Sequence, residues 1–178
     1  MIIAIGYKKQ VGKDSFYKIV KDAFPALRIQ RRAFADAVKF KLWSSLYEEH
    51  GFDISILDNP NTKSLLRPGM SSYANFIRNF VDKYYWADQV LDDLTDINTI
   101  YIITDMRYPE EKNKIENLGG LTINVIRDST NDGDQDPSEI SLDNHQFNYV
   151  IENNGSYEEY EKNVIELFKK MYNNNDAS

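Results

Sequence analysis

Gly12, Lys13, Asp14 and Ser15 follow an apolar run, Ile2-Ile3-Ala4-Ile5-Gly6, closely and open a segment with helical periodicity. A loop between a strand and a helix can turn successive backbone N–H groups onto phosphate oxygens, and the helix start adds unpaired donors and the positive end of its dipole. Gly12 permits close backbone approach, and the ammonium of Lys13 can reach the β- and γ-phosphates of a nucleotide. The spacing departs from the usual GxxxxGK[ST] pattern in two ways. Gly6 lies one residue too far upstream, which leaves Tyr7 in the first-glycine position, and Asp14 replaces the Ser/Thr. Asp14 can serve Mg²⁺ directly or through water, while Ser15 can bond the α-phosphate. The bland alternative is a solvated turn before a lysine-rich helix, and it leaves the order strand, Gly-Lys, helix unexplained.

Other candidate groups stand where further strands should end. Arg31-Arg32-Ala33-Phe34-Ala35-Asp36 follows a weak second strand, Asp105-Met106-Arg107-Tyr108-Pro109-Glu110 a third, and Arg127 a fourth. Phosphoryl transfer needs cations on the non-bridging oxygens and carboxylates that hold Mg²⁺ or orient the attacking oxygen, and this set supplies both. With no cysteine and only His50 and His145, disulfides, thiolate metal sites and an ordinary zinc site are excluded. Any metal is expected to be oxygen-bound Mg²⁺. A formal charge of -7 argues against a general nucleic-acid-binding face.

The elements that must position these groups follow from periodicity and punctuation. Phe16, Ile19, Val20 and Ala23 give a helix over 14–23 that Pro25 ends; Leu27 to Gln30 is a weak strand; Phe34, Val38, Leu42, Trp43 and Leu46 give an amphipathic helix over 34–47 closed by Gly51. Residues 52–68 are expected to be loop with one turn of helix at 62–66, because of Asn59-Pro60-Asn61 and Pro68. Helices over 71–82 and 85–93, a buried strand over 99–104, a helix over 109–118 and a strand over 121–126 follow. After a polar loop, 127–148, a short strand at 149–151 precedes a helix over 156–172, with Ser156 and Glu159 in capping-box spacing. The sum is one three-layer α/β domain with a mainly parallel sheet, in which ligands gather at the carboxyl ends of the strands. No apolar run is long enough to cross a membrane and no signal-peptide pattern opens the chain, so the expected compartment is the cytoplasm. Residues 173–178 read as a frayed polar tail.

Several motifs in order resemble the deoxynucleoside monophosphate kinases of tailed bacteriophages, an adenylate-kinase-like group of P-loop proteins. Gly6-Tyr7 with Gly12-Lys13-Asp14, Phe34-Ala35-Asp36 with Lys39, and Asp105, Arg107, Tyr108, Pro109 and Glu111 match that family's pattern. So do Pro137-Ser138-Glu139 and the closing segment from Tyr149 to Ser156, although Asp136 stands where family members often carry histidine. Arg67, Arg78 and Tyr85-Trp86 fit a pattern of helix arginines before a Tyr-Trp pair.

The resemblance implies a P-loop NTPase fold with a five-stranded sheet over 1–172, an acceptor-binding helical region at about 31–94 and a lid at about 127–148. It implies transfer of the ATP γ-phosphate to a deoxynucleoside 5′-monophosphate, with Mg²⁺, in a bacterial host's cytoplasm; from charge and hydropathy the expected partners include neither nucleic acid nor membrane, and a homodimer stays open. Lys13, Arg107, Asp36 and Arg127 would then carry the chemistry, with Gly12, Lys13, Asp14, Ser15 and Arg127 on the donor, Asp14 and Asp105 on the metal, and Arg32, Phe34, Asp36, Arg67, Arg78 and Trp86 on the acceptor. Each also has a plain structural reading: capping for Asp36, surface pairing for the arginines, packing for Trp86. A dephospho-coenzyme A kinase-like enzyme and a non-catalytic ATP-binding module are the alternatives.

Overall fold

The computed structural model describes residues 1–51, 60–130 and 133–176. The chain divides into two compact units, one of residues 1–32 and 94–178 and the other of residues 33–93.

Among the described residues the larger unit is built on five strands, β1 (Ile2–Gly6), β2 (Ile29–Arg32), β3 (Ile100–Met106), β4 (Leu121–Ile126) and β5 (Tyr149–Glu152). They lie in the order β2-β3-β1-β4-β5, and every neighbouring pair is parallel. Helices cover such a sheet on both faces, so its strands read as continuous β-branched runs instead of alternating ones. Ile3, Ala4 and Ile5 of β1 and Ile102 and Ile103 of β3 are fully buried. Helix α1 (Lys13–Ala23) and the long C-terminal helix (Tyr157–Asp176) supply Phe16, Val20, Val164, Phe168 and Met171 to the same core. The C-terminal helix continues through Asn173 to Asp176, past the expected end at 172.

Register decides where the connections emerge. Gly6 pairs with Met106 on one side and Asn124 on the other, so the segments after β1, β3 and β4 leave the same edge of the sheet. That edge is the one at which parallel sheets bind ligands.

The smaller unit is helical: α2 (Phe34–His50), α3 (Pro60–Phe80) and α4 (Tyr85–Leu91). Gly51 ends α2 at φ 64°, its N–H bonding the carbonyl of Tyr47 at 2.9 Å. This left-handed cap is where glycine carries no Cβ penalty. The loop expected over 52–68 requires correction: residues 52–59 lie outside the described residues, but from Pro60 onward one helix runs straight through Pro68 to Phe80. A proline inside a helix loses one backbone bond and costs about 3 kcal/mol, which propensity alone would resolve by a break. Here the second half of α3 is fixed by packing. Trp86, 1% exposed, donates its indole N–H to the carbonyl of Ala74 at 3.0 Å and meets Tyr73 edge-on. Of the expected apolar face of α2, Phe34 and Val38 are buried and Leu42, Trp43 and Leu46 half-buried, while the rings of Phe40 and Tyr47, on either side of Trp43, are exposed.

The capping box before the C-terminal helix forms as its spacing requires. Ser156 N–H donates to Glu159 Oε2 at 2.9 Å, and Glu159 N–H donates to Ser156 Oγ at 3.2 Å. Ser156→Ala is expected to cost about 1 kcal/mol. Phe168→Ala, at a fully buried position, is expected to cost about 3–5 kcal/mol. Urea denaturation should show the second midpoint shift several times larger than the first.

Candidate active site

The loop from Tyr7 to Gly12 is shaped by where its carbonyls go. Lys13, at the start of α1, turns back and donates its ammonium to the carbonyl of Lys8 and, at 3.4 Å, to that of Tyr7. Asn153, just past β5, donates from Nδ2 to the carbonyl of Val11 at 2.7 Å, and the Tyr160 hydroxyl donates to that of Gly12 at 3.2 Å. In a planar trans peptide the C=O and the next N–H point in opposite directions. Fixing the carbonyls of Val11 and Gly12 therefore aims the N–H groups of Gly12 and Lys13 the other way, as an anion cradle requires, while the N–H opposite the Lys8 carbonyl, that of Lys9, goes to Glu139. Gly12 sits at φ 107°, and a Cβ built on it would stand 2.5 Å from Asn153 Nδ2.

Lys13 is only 9% exposed. Burial, and then the neighbouring Arg107 guanidinium, lower its pKa to about 8, while the carboxylates of Glu139, Asp105 and Asp14 pull the other way. Asp14, Asp105 and Arg107, all read from the sequence, thus act electrostatically on one ammonium. Arg107 is held at both ends. Its backbone N–H donates to Glu111 Oε2 at 2.7 Å, and its guanidinium pairs with Glu139 and reaches the Ser138 carbonyl at 3.4 Å.

Residues 133–147 supply counter-charges to the loop. Lys8 pairs with Asp143 at 2.8 Å, Lys9 with Asp134 at 2.7 Å, and the Lys9 N–H donates to Glu139 Oε2 at 2.7 Å. Tyr7, in the position of the usual glycine, is buried against Phe147 with ring centroids 5.9 Å apart, and its hydroxyl donates to Asp143 at 2.7 Å. Burial and that acceptor push the phenol well above its ordinary range. Asp136 caps the short helix Pro137–Ile140 by accepting from Ser138 N–H at 2.8 Å, which gives the residue in the histidine position a local role.

Beside the loop lies a cavity of about 560 Å³ lined by Tyr7, Lys8, Val11, Val125, Arg127 and Thr130 among others. Its size suits a small-molecule ligand. Asp14 is largely exposed, with one oxygen 3.7 Å from Arg31 Nε. Ser15 is half-buried on the same turn. Among the described residues, no group of three or more His, Asp or Glu side chains is gathered that could hold a metal. Arg32, the last residue of β2, lays its guanidinium 5.6 Å from the Tyr101 ring centroid.

In the helical unit Asp36 is exposed with Lys39 at 3.6 Å, Arg67 is exposed, and Arg78 donates to Asn75 at 2.8 Å. Phe34 and Trp86 are spent on packing at 4% and 1% exposure, so neither offers a ring face as the substrate contact expected of it. His50 and His145 are exposed, and His50 lies 3.6 Å from Glu49.

Sequence reasoning missed Asn153, Tyr160, Glu139 and Asp143 as loop anchors. Tyr160, Val164 and Phe168 share one helical face, so Tyr160 reads as core, and nothing in the spacing reveals its hydroxyl's partner.

An all-parallel sheet with a lysine-bearing anion loop at the carboxyl end of its central strand defines a phosphate-binding-loop α/β protein. The family model "Deoxynucleotide monophosphate kinase" matches residues 73–164, and the chain belongs to that family. It is similar to the deoxynucleotide monophosphate kinase of Escherichia phage RB69, 26% identical over 113 residues that cover 61% of this chain and 46% of that one. The chain thus spans about half the length of that relative. Among solved structures it is similar to the dephospho-CoA kinase from Campylobacter jejuni, with a TM-score of 0.44, 15% identity and 98% of both chains covered.

Gly12→Ala should destabilise the chain more than Gly119→Ala. Both glycines have positive φ, but a Cβ on Gly119 meets nothing within 4 Å. The strain common to both is about 1–3 kcal/mol, and the contact with Asn153 adds to it only at Gly12. Thermal melts of the two variants read the difference, at about 2–4 °C per kcal/mol for a chain of this size.

Proposed function

We propose that this chain is an ATP-dependent nucleotide kinase that transfers the γ-phosphoryl group to the 5′-phosphate of a deoxynucleoside monophosphate. The observation that carries this reading is the loop itself: Lys13 is buried, the carbonyls of Lys8, Val11 and Gly12 are tied off, and Glu139 links the loop's Lys9 N–H to Arg107. Membership of the deoxynucleotide monophosphate kinase family supports the acceptor class.

In this reading the amides of Gly12, Lys13 and Asp14 receive the donor phosphates, Ser15 meets the α-phosphate, and the ammonium of Lys13 follows the charge on the transferred group. An oxygen of the acceptor's 5′-phosphate attacks the γ-phosphorus. The new O–P bond forms as the bond to the β-phosphate oxygen breaks, ADP leaves and a nucleoside diphosphate remains. Arg107 neutralises charge between the two phosphates, which is most of what such a transition state asks of a protein. No general base is needed, because the attacking phosphate oxygen is already anionic.

Arg127, on the cavity, takes the adenine face by cation–π stacking, and the segment from 127 to 148 excludes water, without which the enzyme would be an ATPase. Asp14 and Asp105 are the carboxylates that would hold Mg²⁺, which usually takes one or two protein oxygens and completes its shell with phosphate and water, and the ion would supply positive charge to the donor phosphates. On the family's pattern Arg32, Asp36, Arg67 and Arg78 are assigned to the acceptor.

The test is formation of ADP and nucleoside diphosphate from Mg-ATP with each deoxynucleoside monophosphate, run beside dephospho-coenzyme A and a Lys13→Ala control. Product is expected with at least one deoxynucleotide, and the control should lose on the order of 10²–10³-fold in rate. Phosphorylated dephospho-coenzyme A instead would move the acceptor assignment. ATP binding without any product would make the chain a binding module.

A further inference from the structure

Glu139 is a carboxylate that the reaction does not itself call for, yet it is 4% exposed and lies against the anion loop. One oxygen accepts from the Lys9 N–H at 2.7 Å, and the other pairs with the Arg107 guanidinium. The two donors belong to different connections, the loop after β1 and the turn after β3. Glu139 is therefore the side chain that joins them.

The four-residue helix that carries it is held in place locally. Pro137 starts it, Asp136 caps it through Ser138 N–H at 2.8 Å and Ser138 Oγ at 2.7 Å, and the Glu139 N–H donates to the Asp136 carbonyl at 2.8 Å. Such scaffolding around one buried acid fixes its direction. Arg107 and Lys13 are mutually repelling cations, and Glu139 is one of the carboxylates that offset them.

We propose that Glu139 is a positioning residue: it orients the Arg107 guanidinium toward the terminal phosphate of the bound triphosphate. The proposal rests on the kinase reading above and deepens it. Lys13 marks the β- and γ-phosphate end of the loop, and Glu139 ties the Arg107 guanidinium to that loop through the Lys9 N–H, so a guanidinium held there is aimed at the γ-phosphate. An arginine has five N–H donors in a rigid fork, and the contacts with Glu139 and the Ser138 carbonyl both run through Nη1. Orientation of the rest of the fork is what that anchoring determines.

The alternative, that Glu139 stands in for a phosphate and is expelled by it, is disfavoured by burial. The side chains of the Lys8–Asp143 and Lys9–Asp134 pairs are between 26% and 42% exposed, whereas Glu139 and Arg107 are 5% and 19% exposed. Exposed pairs open cheaply, but separating a buried pair strands its charges.

Calorimetric binding of Mg-ATP and Mg-ADP to the full chain and to Glu139→Gln, Arg107→Lys and the double variant decides between these readings. The glutamine keeps an oxygen for the Lys9 N–H and loses the charge that orients Arg107. Each single variant is expected to weaken ATP binding about tenfold while changing ADP binding less than about twofold, and the double variant should be no worse than either. A general loss of structure would weaken both nucleotides together. Two results overturn the proposal: tighter ATP binding in Glu139→Gln, which makes the carboxylate a competitor of phosphate, or losses that add in the double variant. Because the readout is binding, failure of the wild-type chain to phosphorylate any acceptor would refute the kinase reading and still leave the ATP-to-ADP ratio to judge Glu139.

Discussion

The ammonium of Lys13 is a charge that the fold must keep out of water without letting it neutralise. Isolated in an apolar surrounding it would shed its proton, since burial lowers a lysine's pKa by as much as several units. What holds the proton, at a pKa of about 8, is the inward carbonyl pair of Tyr7 and Lys8 and the carboxylates of Glu139, Asp105 and Asp14. The loop geometry follows from that requirement. The Lys8 carbonyl recruited by the ammonium turns the Lys9 N–H onto Glu139, and the carbonyls of Val11 and Gly12, held by Asn153 and Tyr160, turn the Gly12 and Lys13 N–H groups away from those anchors. Arg107 makes the same problem worse by adding a second cation, which is why a carboxylate as buried as Glu139 is tolerated beside it.

Keeping such a loop open depends on anchors from the opposite half of the sheet. Asn153 and Tyr160 come from the end of β5 and the start of the C-terminal helix, more than 140 residues along the chain from Val11 and Gly12. They reach the loop because β4 and β5 continue the parallel order outward from β1, and because the C-terminal helix packs into the core that Phe16 and Val20 share. The space a side chain on Gly12 would need is filled by Asn153, so the absence of a Cβ at Gly12 and the support of the loop by Asn153 are one arrangement.

Elements whose local pattern and tertiary environment agree were legible in the sequence. β1, β4, the α1 helix and the Ser156–Glu159 capping box lie where periodicity and capping chemistry put them, because buried parallel strands and amphipathic helices write their burial into residue type. Lys13, Arg107, Asp105 and Asp14 are candidates in the sequence because they stand at or just after strand ends, and the parallel topology gathers the ends of β1 and β3 at one edge of the sheet. Pro68 misled because propensity describes the isolated helix, and the Trp86 packing that overrides it depends on residues beyond the helix. Glu139 and Asn153 belonged to recognisable segments, but their partners are 130 and 142 residues away, and no local rule connects them. Phe34 and Trp86 stood in motif positions while their burial reflects core packing, which a motif cannot distinguish from ligand contact.

The two departures from the usual phosphate-loop pattern become intelligible as substitutions of one constraint for another. A glycine at the first position offers freedom and close approach; Tyr7 offers neither, but its ring is locked on Phe147 and its hydroxyl on Asp143, so the loop's first residue is fixed by side-chain contacts. The same Asp143 also pairs with Lys8, which makes the aromatic and the lysine after it one anchored unit. Asp14 replaces a hydroxyl at the first turn of α1, where the helix dipole favours a carboxylate and Arg31 lies 3.7 Å away. An aspartate brings a charge that a serine would not, and the cations Lys13 and Arg31 offset it. The chain's net acidity is therefore no obstacle to holding a polyanion, because the field that matters is set within a few ångströms of Lys13 and is screened from the acidic remainder beyond about 10 Å.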